Sequence, residues 1–169
     1  NGDELRHALF FREFGAESRQ WKLLDGDLKT TSHPLDSCAL PDGLYVIKAV
    51  STDETDNPAA DALAGESVSD PFPVDNTNPQ LVSLEAVRSG DRSIRVSGAA
   101  EDGTGPLWKG FYALNGGEWK PFFPTDEIFD SKRERFSFLA ELPDGDEHTL
   151  VVRVRDLAGN VGVRQIEID

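Results

Sequence analysis

The chain has 169 residues and carries 31 acidic against 17 basic side chains, a formal net charge of −14, with 38% hydrophobic residues spread along its length. That excess of carboxylates opposes binding to nucleic acid or to an anionic membrane, because phosphate binding draws its affinity from clustered Lys and Arg. No apolar run approaches the roughly 20 residues of a membrane-crossing helix, and one cysteine, Cys38, permits neither an internal disulfide nor a Cys-rich metal site. The chain opens at Asn1, without Met or a signal peptide, as a mature product or an excised fragment would.

In chain order, Leu9-Phe10-Phe11 marks an aromatic strand, and Trp21-Lys22 follows it. Leu40-Pro41-Asp42-Gly43 is a turn that leads into a strand running from Tyr45 to Asp53, and Cys38 is expected as a small apolar strand residue. An acidic loop, Asp53-Glu54-Thr55-Asp56-Asn57, comes next. The stretch from Asp70 to Pro79 holds three prolines, which remove backbone donors and stop a central strand, so it reads as a linker with a domain boundary near Asn76. Beyond it about seven strands are expected, near 80–88, 93–100, 107–114, 118–123, 134–142, 148–156 and 161–168. Their apolar residues recur with a period of two, as in Ile94 and Val96, Phe136 to Ala140, and Leu150, Val152 and Val154. Asn115-Gly116-Gly117 closes a hairpin between two of them, since Asn and Gly tolerate positive φ. No segment carries a convincing helical stripe, and the fold class is expected to be all-β.

The two halves look like copies. Leu40-Pro41-Asp42-Gly43, Tyr45, Asp53 and Asn57 recur as Leu142-Pro143-Asp144-Gly145, His148, Asp156 and Asn160, and Trp21-Lys22 recurs as Trp119-Lys120. Two modules are therefore expected, 1–76 and 77–169. The first has only twenty residues ahead of its Trp, so its opening strands are expected to be missing or supplied from upstream.

These residues resemble tandem bacterial immunoglobulin-like or fibronectin type III-like repeats of exported proteins. Leu40 to Tyr45 is similar to a tyrosine corner, in which the phenol hydrogen-bonds back to nearby backbone. Asp156-Leu157-Ala158-Gly159-Asn160 resembles the turn after the penultimate strand of such repeats, and Val74-Asp75-Asn76-Thr77-Asn78-Pro79 resembles their junction. The pattern departs at Asp53 to Asn57, which lacks the Ala-Gly-Asn turn, and at His148, where a tyrosine is expected. The resemblance implies two β-sandwiches in tandem, without intrinsic catalysis, attached to other domains of a larger parent protein outside the cytoplasm: extracellular, at the cell surface or periplasmic.

For chemistry, His7, His33 and His148 are far apart and show no ligand spacing, and neither a nucleophile elbow nor a phosphate-cradling Gly-rich loop is present. No catalytic residues are assigned, and no cofactor is required. The acidic loop Asp53, Asp56 and Asn57, with Asp61 close by and Asp75 at the junction, is the candidate calcium site, because calcium takes several hard oxygens from flexible loops. The competing reading is a solvated loop of ordinary turn formers. Trp108, between Pro106 and Gly110, is the candidate contact for a protein or polysaccharide at the cell surface, against the alternative that Trp21, Trp108 and Trp119 are packed. The function expected is a monomeric spacer or interaction module; the alternative is a calcium-dependent adhesive or carbohydrate-binding accessory module.

Overall fold

The computed structural model describes residues 4–17, 20–58 and 60–168. The chain is all-β: among the described residues, the helical element is a single 3-10 turn at Ser37–Ala39, and no helix is long and apolar enough to cross a membrane. Two compact units form, Asn1–Val74 and Asp75–Asp169.

The first unit is one antiparallel sheet of β1 (Arg6–Glu13), β2 (Lys22–Leu28), β3 (Gly43–Thr52), β4 (Ala64–Val68) and β5 (Phe72–Val74). The order is β2-β1-β3-β4. β4 pairs with Lys48 to Thr52 of β3, and β5 pairs with Gly43 to Tyr45 of the same strand. Phe72-Pro73-Val74 therefore belongs to the sheet, where the linker reading had expected none. Pro73 stands opposite Leu44 on an edge strand, the position at which a missing N–H is tolerated. The core is small: Leu40, Tyr45 and Val74, with Phe11, Leu35 and Phe72 against them. Among the described residues no second sheet faces it, so the sandwich expected for residues 1–76 is present as one layer. Cys38 lies exposed on the 3-10 turn rather than on a strand, because the Asp36 side chain caps that turn by accepting from the Cys38 N–H.

The second unit is a two-layer sandwich. β6 (Gln80–Gly90), β7 (Ser93–Glu101) and β10 (Arg133–Glu141) form one sheet in the order β10-β7-β6. β8 (Leu107–Leu114), β9 (Lys120–Phe122), β11 (His148–Asp156) and β12 (Val161–Ile168) form the other, in the order β12-β11-β8-β9. Three strands against four is the arrangement of an immunoglobulin-like sandwich. The period-two residues point where the alternation requires: Ile94 and Val96 from one sheet and Leu150, Val152 and Val154 from the other are fully buried.

An aromatic cluster fills the middle. Phe122 lies 4.6 Å from Phe136 and 4.9 Å from Phe138 between ring centroids, and Tyr112 stacks on Phe138 at 4.7 Å. Two glycines make room for it. A Cβ on Gly98 would stand 2.6 Å from Phe136 Cζ and 2.5 Å from Ser83 O, and one on Gly110 would run into the Phe122 ring. The rings lie over strand backbone that has no side chain to lift them.

Two outcomes follow from this packing. Residues 75–169 expressed alone should melt in one cooperative transition, whereas residues 1–74 alone, with three buried hydrophobic residues in their cluster, should show none by near-ultraviolet circular dichroism. Gly110→Ala should cost about 1–3 kcal/mol through overpacking, measured by urea denaturation.

Candidate functional site

The most concentrated polar chemistry of the second unit lies where three turns converge. Asp156 ends β11 and is completely buried. Its Oδ1 accepts hydrogen bonds from the N–H of Gly159 at 2.6 Å and of Asn160 at 2.8 Å, and its Oδ2 accepts from Asn160 Nδ2 at 2.8 Å. The turn can close on the carboxylate because Gly159 adopts a φ of +107°, which a residue with a Cβ resists. Asn160 Nδ2 also donates to the backbone oxygen of Asp75 at 3.0 Å, tying the turn to the first residue of the unit.

Asp75 accepts from the Thr77 N–H through Oδ1 at 3.2 Å. Its Oδ2 occupies the space beside Gly105, where a Cβ would lie 2.9 Å away. Asp102, which follows β7, accepts from the N–H of Thr104 at 2.7 Å and of Gly105 at 2.8 Å, both through Oδ1. Asp102 is only 7% exposed, and its Oδ2 is buried with no hydrogen-bond donor against it. A carboxylate oxygen from each of Asp75, Asp102 and Asp156 lies within 4.8 Å of the other two.

The residues expected to hold calcium are divided differently. Asp53, Asp56, Asn57 and Asp61 belong to the first unit, and Asp75 opens the second. Asp53 Oδ1 accepts from the Leu63 N–H at 2.7 Å, and its backbone oxygen accepts from the N–H of Asp56 and of Asn57. Asp56 Oδ2 accepts from the Glu4 N–H at 2.5 Å, Asn57 Nδ2 donates back to Asp53 O, and Asp61 N–H donates to Pro58 O. That loop is closed by its own acceptors. Of the five, the converging group contains Asp75. Asp102 and Asp156 were not singled out as ligands from sequence; the signal available was Asp102-Gly103-Thr104-Gly105 and Asp156 to Asn160, two Asp-led turns far apart in the chain.

A second feature is shared by both units. In β8 and β11, Phe111 and Arg153 are cross-strand partners, and the Arg153 guanidinium lies 5.0 Å from Phe111 and 4.1 Å from Trp119. In β1 and β3, Phe10 and Lys48 are partners, and Lys48 Nζ lies 5.4 Å from Phe10 and 5.2 Å from Trp21. Each cation lies over two aromatic rings, and Lys48 Nζ is also 3.4 Å from Glu66 Oε2. Trp108 is 42% exposed and carries Lys109 Nζ at 3.7 Å and Arg155 at 5.9 Å.

The corner motifs differ between the units as their sequences do. Tyr45 donates its phenol to Pro41 O at 3.0 Å, the bond expected of a tyrosine corner. His148 is buried and instead accepts from Asn115 Nδ2 through Nδ1 at 3.2 Å. Asn115, at a φ of +51°, also accepts from the Thr149 N–H through Oδ1 at 2.8 Å. His148 braces the hairpin turn after β8, where Tyr45 braces the turn before its own strand. Burial, then the negative charges of Glu13 and Asp42, raise the Tyr45 phenol above its ordinary value.

No family model matches the chain, and no curated protein does. Twenty-one solved chains match it in fold. One is the crystal structure of chicken CNTN1 FN1-FN3 domains, with 16% identity and a TM-score of 0.48, over 99% of this chain and 54% of that one. The chain thus spans about half the length of that structure.

Asp156→Ala should leave Gly159 N–H, Asn160 N–H and the Asn160 amide without their acceptor and cost about 3 kcal/mol or more, read from the urea midpoint of the second unit. The raised Tyr45 phenol adds an alkaline limit. The folded state holds that proton more tightly than the unfolded state, so its contribution is complete below about pH 10 and is lost as pH rises through the folded value. Tyr45→Phe should lower stability at pH 7 by about 1 kcal/mol and flatten the fall above pH 10, both visible in denaturation midpoints taken across pH.

Proposed function

We propose that the chain is a non-catalytic structural or interaction region, two β units that position or accompany another domain of a larger exported bacterial protein. The observation that carries this reading is how the second unit uses its buried polar side chains. Asp156 accepts three hydrogen bonds from its own turn. Glu134, pointing inward from β10, accepts from the N–H of Asp130 and Ser131 through Oε1. His148 is engaged by Asn115. Groups tied in this way hold loops in place, which is the work of a scaffold. The net charge of −14 keeps such a region soluble and opposes self-association, and its partners are the other domains of the parent protein.

A second reading, a module that binds protein or polysaccharide, is favoured by the half-exposed rings of Trp108 and Trp119, at 42% and 41% exposure on the second unit. Half-exposed Trp rings, apolar in body with one polar N–H, are enriched where proteins meet partners. The two readings separate in a thermal melt of residues 1–169 against a panel of soluble polysaccharides, since a ligand selective for the folded state must raise its melting temperature. The structural reading expects one unmoved transition across the panel. A rise with one polysaccharide that disappears in Trp108→Ala would transfer the function to binding.

A further inference from the structure

We propose that Asp75, Asp102 and Asp156 form a calcium site within the second unit, an inference that stands independently of the spacer reading. Three carboxylates present oxygens within 4.8 Å of one another, and two of the three side chains are more than nine-tenths buried. Like charges this close repel strongly where water is scarce, and a buried carboxylate oxygen without a donor is costly. Asp102 Oδ2 is such an oxygen: its partner Oδ1 takes both turn amides, and Oδ2 has none. A cation among the three carboxylates resolves both problems at once.

The donor set selects the ion. Carboxylate oxygens are hard ligands, and there is no thiol or imidazole in the group, which disfavours zinc and copper. Two oxygens bound to one calcium at about 2.3–2.6 Å can stand up to about 4.6–5.2 Å apart, so the observed separation suits a single calcium ion without moving the backbone. Magnesium at about 2.0–2.1 Å draws its ligands closer and holds its waters more firmly. The rest of the local structure holds the oxygens in place. The Asp156 carboxylate is fixed by Gly159 and Asn160, the Asp75 backbone by Asn160 Nδ2, and the Asp102 carboxylate by Thr104 and Gly105. Gly105 leaves the space that Asp75 Oδ2 fills.

Binding there would order more than one loop. It would link the first residue of the unit, the turn between β7 and β8 and the turn between β11 and β12. Calcium would then stiffen one end of the sandwich.

The test is a thermal melt of residues 1–169, stripped with chelator and titrated with calcium chloride, for the native chain and three variants. The native melting temperature should rise with the logarithm of calcium concentration. Asp102→Asn keeps the Oδ1 acceptor for Thr104 and Gly105 and removes a charge, so it should melt at or above the native chain in chelator and lose the calcium response. Asp75→Asn should lose the response as well, and it serves as the reading if Asp102→Asn fails to fold. Asp53→Asn should respond as the native chain does. A native transition indifferent to calcium would overturn the site, as would a response that survives both Asp102→Asn and Asp75→Asn or one abolished by Asp53→Asn. An equal rise with magnesium chloride would overturn the choice of ion.

Discussion

The second unit depends on a buried carboxylate that is almost wholly spent on its own neighbours. Asp156 sits where β11 must reverse into β12, and with both oxygens it supplies the acceptors, backbone or water, that the N–H groups of the reversal would otherwise need. Asn160 extends that bond to the backbone of Asp75, a residue more than eighty positions away. A local turn and a long-range anchor are thus the same few hydrogen bonds. The register of β12 along β11, from Arg155 opposite Val161 to His148 opposite Ile168, follows from where the turn is pinned.

The two units share one side-chain arrangement and differ in others. The cation between two aromatic rings is retained, as Lys48 in one and Arg153 in the other, because it depends on cross-strand neighbours that the sheet brings together regardless of loop sequence. The corner is not retained. A phenol at position 45 reaches back to Pro41, whereas the imidazole at 148 is shorter and meets Asn115 on the preceding hairpin. The loop after the long strand diverges most: Asp53 closes it through Leu63, ten residues on, and Asp156 closes it through Gly159 and Asn160, within one tight turn.

Much of the fold was legible because strands with one buried face announce themselves by alternation. Leu150, Val152 and Val154, or Ile94 and Val96, leave little choice of face, and the tyrosine corner and the Asp-led turn after β11 carried their geometry in a few residues. Phe72 to Val74 was misread for a physical reason: prolines stop central strands, but the edge of β3 tolerates Pro73. The converging carboxylates were only partly legible. Asp75 and Asp156 lie in the junction and turn motifs, whereas Asp102 heads a short Asp-Gly-Thr-Gly turn that belongs to neither. No linear spacing joins them; the sandwich does, by ending β7 and β11 at the level where the unit begins. The acidic loop at Asp53 drew attention through its density of charge, yet density does not say which way carboxylates point.

The broken last strand of the first unit has a consequence for how neighbouring copies fold. Repeats of similar sequence on one chain risk trading equivalent strands during folding, because each offers the other a matching edge. Here the equivalents do not match. β12 is eight continuous residues that ladder along most of β11. β4 and β5 cover β3 in two pieces, with Pro71 between them and Pro73 inside the second. A strand exchanged in either direction would bring prolines against a continuous ladder or force a continuous strand over a break. The interruption makes each unit a poor template for the other's final strand.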